Sequence, residues 1–174
     1  MGEITLVLGG AKSGKTAWAL NRAGAYPEPR VYLATAEARD AEMAERIRRH
    51  QAERGPGWRT AEAPLDPAGF LRNLAQGDTS VVLLDCLTLW LSNLMAGMGL
   101  TADQAAAGVR DLVAAAVSAP APVIIVSNEV GLGIVPENRL ARDFRDASGL
   151  GHQILARAAA EVFFVAAGLA LKLK

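Results

Sequence analysis

Residues 9 to 16 read GGAKSGKT, a glycine-rich run that ends on a lysine and a hydroxyl. The spacing G-x-x-x-x-G-K-[ST] points to phosphate chemistry. Gly9, Gly10 and Gly14 let the backbone turn its N–H groups inward around phosphate oxygens. Lys15 would reach the β and γ phosphates, and the Thr16 hydroxyl would bind Mg²⁺. Ala11, Lys12 and Ser13 complete the nucleotide-binding loop, although Lys12 occupies a freely varying position and its side chain reads as solvent-facing. An apolar run precedes the loop and a helix-forming segment follows it. The helix N-terminus then adds its partial positive charge at the same spot.

A second group with matching chemistry is Asp85, which ends the apolar run VVLLD. An acidic residue in that place holds the Mg²⁺ shell of phosphate-loop enzymes. The loop predicts a bound nucleoside triphosphate without stating its fate. A GTPase switch would carry N-K-x-D, which the chain lacks, and a motor or transporter needs further domains. A small-molecule kinase or nucleotidyl transferase matches the size.

His50 is one of two histidines and sits among Arg46, Arg48, Arg49 and Arg54. A helix over 40–53 puts Met43, Ile47 and His50 on one face. Two readings stay open on physics alone. One is a core histidine satisfied by a backbone carbonyl; the other is a nucleophile or acid–base group. The neighbouring guanidinium groups suit phosphate recognition, yet an arginine- and glutamate-rich helix is also an ordinary solvated face.

These groups need elements to position them. Runs at 4–9, 30–35, 80–85 and 122–128 read as strands with almost no polar alternation, which suits a parallel sheet buried on both faces. Helices are predicted at 15–25, 40–53, 66–76, 87–97, 102–118 and 137–161, the last with a break at Gly149. Residues 59–64 read as short and extended, and 162–174 as a closing hairpin. Repeated strand–helix–strand order makes a three-layer α/β domain. The expectation is one phosphate-loop nucleotide-binding domain over 1–174, with a mainly parallel sheet and an antiparallel C-terminal hairpin.

Composition narrows the partners. Eighteen basic residues balance eighteen acidic ones, so the basic excess of a nucleic-acid footprint is missing. Aromatics make up only 5%, which leaves the core to Ala, Val, Leu and Ile. The single cysteine, Cys86, excludes an intramolecular disulfide and reads as a buried thiol. No span approaches the roughly 20 apolar residues of a transmembrane helix. No basic region precedes an apolar one at the N-terminus. A cytoplasmic protein without membrane insertion is the expectation.

Four stretches carry a family likeness: the loop GGAKSGKT; DAEMAERIRRHQ followed by WRTAEAP; LLDCLTLWLSNL (83–94); and SNEVGLGIVPENRLARDFRDASG (127–149), the most specific. Together they resemble the bifunctional adenosylcobinamide kinase/adenosylcobinamide-phosphate guanylyltransferase family of cobalamin biosynthesis, over nearly the whole chain. One departure stands out. The family usually reads Gly-x-x-Asn-Gln after the last block, and here residues 149–153 are Gly-Leu-Gly-His-Gln. The resemblance assigns His152 no role.

The resemblance implies an α/β fold and two reactions at one nucleotide site. ATP or GTP phosphorylates the aminopropanol hydroxyl of adenosylcobinamide. A histidine then attacks the α-phosphate of GTP, expels pyrophosphate and passes GMP to adenosylcobinamide phosphate, giving adenosylcobinamide-GDP. The matching histidine is His50. A neutral imidazole is required for attack, and nearby arginines help hold the ring neutral by repulsion. Residue-by-residue transfer adds Ala34, Thr35 and Ala36, then Gln51, Ala52, Glu53 and Arg54, and Glu62, as nucleotide contacts. Asn128, Glu129 and Arg139 fall in the most specific block without assigned roles. Mg²⁺ as cofactor and a homotrimer are further implications.

Overall fold

The computed structural model describes residues 2–36 and 54–174. The helix expected at 40–53, with His50, Gln51, Ala52 and Glu53, lies outside the described residues. The strands are β1 (Ile4–Gly9), β2 (Arg30–Ala34), β3 (Trp58–Glu62), β4 (Val82–Asp85), β5 (Val123–Asn128), β6 (Glu161–Ala166) and β7 (Leu169–Lys172). The helices are α1 (Lys15–Gly24), α2 (Pro67–Arg72), α3 (Leu87–Ser92), α4 (Ala102–Ser118) and α5 (Arg139–Ala158). A π-helical turn, Asn93–Gly97, extends α3.

Among the described residues the strands form one sheet in the order β3-β2-β4-β5-β1-β6-β7. Every described pairing is parallel except β6 with β7. The apolar runs explain this. Because side chains alternate across a strand, Leu6, Leu8, Leu33, Leu84 and Ile125 face one layer, which includes Leu71, Leu87, Leu91, Leu112 and Leu155 of α2, α3, α4 and α5. Val7, Tyr32, Leu83, Ile124 and Val126 face the other, where α1 supplies Ala19 and Ala23. Each fully buried aliphatic side chain contributes about 1.5–3 kcal/mol, so one-residue slips in register are strongly disfavoured.

Three expectations change in detail. Helix α5 runs unbroken through Gly149. Its inward stripe of Ala147, Ser148, Gly151, His152 and Leu155 keeps helical spacing across that point, and packing outweighs the roughly 1 kcal/mol a helical glycine costs. At Gly151 the small residue matters: a Cβ would stand 3.4 Å from Val109 and 3.8 Å from Leu87. The same helix ends at Ala158, because Glu161 already starts β6 and pairs with Thr5 of β1. The helix expected at 66–76 is confined to Pro67–Arg72, started by the Asp66 side chain accepting from the Gly69 N–H at 2.7 Å. The extended 59–64 segment belongs to β3, parallel to β2.

The registers align the carboxyl ends of the strands. Gly9 pairs with Asn128, Ala34 with both Asp85 and Glu62. Open α/β sheets bind ligands at this edge. No helix among the described residues is long and apolar enough to cross a membrane.

Candidate active site

The phosphate loop joins β1 to α1. Gly9 has no room for a side chain, since a Cβ would stand 2.5 Å from Ser13 Oγ and 2.5 Å from the Val165 carbonyl. Gly14 adopts φ 91°, the left-handed region that favours glycine. Behind it lies the β6–β7 turn, where the Gly168 N–H donates to the Ser13 carbonyl at 2.8 Å. The C-terminal hairpin therefore braces the loop from below. Helix α1 begins at Gly14 with no side-chain cap and no acidic residue in its first turn, which leaves its N–H groups suited to an anion. Lys15 is buried and its ammonium donates to the Gly10 carbonyl at 3.0 Å, across the loop.

Asp85 gathers the next groups. Thr16 and Tyr32 both donate hydroxyl hydrogens to its Oδ2, at 3.2 and 2.8 Å. Burial foremost, then the Asp85 charge and hydrogen bond, pushes the Tyr32 phenol well above its ordinary value, so it stays a donor. The Arg54 guanidinium stacks over the Tyr32 ring, 3.6 Å from its centroid, a cation–π geometry. Its Nη1 is buried and has no hydrogen-bond partner among the described residues.

The floor of the site is tied across strands. The Thr35 hydroxyl donates to the Cys86 carbonyl and accepts from the Cys86 N–H, both at 2.8 Å. Asn93 Nδ2 donates to the Thr35 and Pro64 carbonyls at 2.9 and 3.0 Å, joining the ends of β2 and β3 to the π-helical turn. Asn128 Nδ2 donates to Thr88 Oγ1 at 3.0 Å. Cys86 is buried, and burial pushes its thiol up from the ordinary value. Its sulfur lies 3.3 Å from Thr88 Oγ1.

Glu129 follows β5. Its backbone N–H donates to the Gly9 carbonyl at 3.0 Å, at the root of the phosphate loop, and its Oε1 accepts from the Gly131 N–H at 2.6 Å. Its Oε2 stands 3.5 Å from Nδ1 of His152 on α5. The other ring nitrogen, Nε2, is 2.7 Å from Ser127 Oγ. Burial lowers the His152 pKa, with the Glu129 charge opposing. Burial thus favours the neutral ring.

These elements enclose a cavity of about 630 Å³. Of the residues expected from sequence, Ala11, Lys12, Lys15, Thr16, Ala34, Ala36, Arg54, Glu62 and Asp85 line it. Gly9, Gly10, Ser13 and Gly14 shape the loop from behind. Thr35 is fully buried, and its hydroxyl is taken up by the Cys86 backbone. Arg139 is exposed at the start of α5 and pairs with Asp143 at 3.6 Å. Tyr32, Thr88 and Phe144 also line the cavity and had not been singled out. The signal for Tyr32 was a phenol between the apolar Val31 and Leu33 of a strand, which must find a partner when buried.

Comparison with known proteins adds a lineage to this geometry. A family model described as cobinamide kinase / cobinamide phosphate guanyltransferase matches residues 5–173. The bifunctional adenosylcobalamin biosynthesis protein CobU of Salmonella typhimurium is 42% identical over 184 residues, covering 98% of this chain and 99% of that protein. The bifunctional adenosylcobalamin biosynthesis protein CobP of Pseudomonas aeruginosa is 43% identical over 171 residues, covering 97% and 96%. CobU of Escherichia coli K12 is 42% identical over 185 residues, covering 98% and 99%.

Proposed function

Because the chain belongs to the cobinamide kinase / cobinamide phosphate guanyltransferase family, we propose that it catalyses both steps on adenosylcobinamide. It phosphorylates the aminopropanol hydroxyl with ATP or GTP, then transfers GMP from GTP to the resulting phosphate. The observation that carries this reading is one cavity bringing Lys15 and Thr16 together with Asp85 and Arg54. It has a basic loop for phosphates and a buried guanidinium nitrogen without a partner among the described residues. A desolvated donor of that kind is suited to an anionic ligand.

The residues also fit Mg²⁺. A hydroxyl and a carboxylate oxygen 3.2 Å apart, Thr16 Oγ1 and Asp85 Oδ2, are hard oxygen donors of the type that cation takes. Among the described residues no group of three or more His, Cys, Asp or Glu converges on one point. Thr16 and Asp85 would therefore hold the ion jointly with the triphosphate, where it neutralises phosphate charge. Lys15 and the α1 N-terminus orient the same phosphates.

His50 is the nucleophile of the second step in this reading. It attacks the α-phosphorus of GTP, pyrophosphate leaves, and GMP rides on the ring as a phosphoramidate until the corrinoid phosphate takes it. Arg54, four residues on, lines the cavity, and four residues of chain span at most about 14 Å. The protein works in the cytoplasm as a homotrimer. Support for self-association comes from Leu132, Ile134, Val135 and Leu140, all exposed between the end of β5 and the first turn of α5.

The test is direct. Incubation with adenosylcobinamide, Mg²⁺ and GTP should yield first the cobinamide phosphate and then cobinamide-GDP on chromatography. Triphosphate turnover without a modified corrinoid would overturn the reading. Light scattering should give three chain masses; a monomer at working concentration would overturn the trimer.

A further inference from the structure

We propose that Glu129 is the general base of the phosphorylation step and that His152 is the positioning residue that holds its carboxylate. The proposal deepens the reading above and rests on its kinase half.

Among the described residues three carboxylates line the cavity: Glu62, Asp85 and Glu129. Each has a different situation. Oδ2 of Asp85 already accepts two hydroxyl hydrogens, from Thr16 and Tyr32. Glu62 is exposed at the end of β3, an edge strand. Glu129 alone is anchored to the phosphate loop by its own backbone, through the 3.0 Å bond from its N–H to Gly9. Its side chain is 21% exposed, so it is largely desolvated yet reachable from the cavity. A base for an acceptor hydroxyl must stand beside the phosphates, and Glu129 rises from the root of that loop with its carboxylate outside the Thr16–Asp85 pair.

His152 explains how the carboxylate is aimed. The ring is 6% exposed, and the hydroxyl of Ser127 at 2.7 Å engages Nε2. With Ser127 donating, Nδ1 carries the hydrogen. That nitrogen is buried and has no hydrogen-bond partner among the described residues. It faces Glu129 Oε2 at 3.5 Å, so a shift of about half an ångström would close a hydrogen bond. The Gly131 N–H holds the other oxygen at 2.6 Å. Two donors then fix the carboxylate plane and leave its remaining lone pairs toward the cavity.

The step balances as follows. The acceptor hydroxyl oxygen bonds to the γ-phosphorus while the bond from that phosphorus to the β–γ bridging oxygen breaks. The nucleoside diphosphate leaves with the electron pair. The hydroxyl proton passes to the Glu129 carboxylate and then to solvent at the mouth of the cavity. His152 stays neutral throughout.

The experiment compares both half-reactions in three variants. Glu129→Gln should slow corrinoid phosphorylation by about a hundredfold or more, the range for a lost general base. Its affinity for a non-hydrolysable Mg²⁺-triphosphate analogue should stay within threefold of wild type, and its GMP labelling should fall at least tenfold less than phosphorylation. His152→Leu should lower kcat for phosphorylation about tenfold with little change in KM, and His152→Asn, which keeps a donor, should recover most of it. Equal losses in both half-reactions, or a Glu129→Gln effect confined to triphosphate affinity, would overturn the base assignment. Equal impairment in His152→Leu and His152→Asn would overturn the positioning role. A wild-type protein that phosphorylates no corrinoid would instead defeat the kinase reading beneath it.

Discussion

The Tyr32 hydroxyl donates to Asp85 Oδ2 across 2.8 Å, linking the middle of β2 to the last residue of β4. The phenol is buried and kept protonated, so it presents a constant donor to the carboxylate. Tyr32→Phe removes one hydrogen bond and leaves the packing. We expect kcat/KM to fall about tenfold, equivalent to roughly 1.4 kcal/mol, with Mg²⁺ dependence shifted to higher concentration. An unchanged Mg²⁺ titration would show that Asp85 is oriented without it.

Two neighbouring glycines should behave oppositely. A Cβ on Gly9 would press at 2.5 Å on the Val165 carbonyl, backbone that cannot swing aside, whereas one on Gly10 meets nothing within 4 Å. Gly9→Ala should cost about 1–3 kcal/mol in urea unfolding. Gly10→Ala should stay within about 0.5 kcal/mol. Similar values for both would contradict the loop geometry.

Lys15 and His50 should divide the chemistry. Lys15→Ala should reduce both half-reactions by two orders of magnitude or more, since both need a bound triphosphate. His50→Ala should lose GMP transfer while retaining phosphorylation of cobinamide. Separate assays of the two products read this out, and parallel losses in His50→Ala would refute the division.

His152 makes stability depend on pH. Its folded pKa is depressed, chiefly by burial. Below the unfolded value of about 6.5 the unfolded chain binds a proton that the folded chain refuses, so stability falls as pH drops through that value and is unaffected above it. The urea midpoint should fall between pH 7.5 and 5.5 in the wild type and fall less in His152→Asn. Identical drops would place the titration elsewhere.

Much of this was legible from sequence for a physical reason. The phosphate loop is local: its glycines, Lys15 and Thr16 lie within eight residues, bounded by a strand and a helix that periodicity identifies. The apolar runs announced a sheet buried on both faces. The Tyr32–Asp85 bond was not legible, because it depends on the parallel register of β2 with β4. The approach of His152 to Glu129 likewise joins residues from α5 and the end of β5 that no spacing rule connects. Gly149 misled because a glycine reads as a breaker until the packing of Gly151 and Leu155 is known. The family resemblance, not spacing, singled out His50.

The central claim is a covalent GMP on that histidine, and one measurement tests it most directly. The protein is incubated with Mg²⁺ and GTP labelled at the α-phosphate, denatured and separated by electrophoresis. The account predicts an acid-labile, alkali-stable label on the wild type that is absent from His50→Ala. No label on the wild type, or a label that persists in His50→Ala, would contradict it.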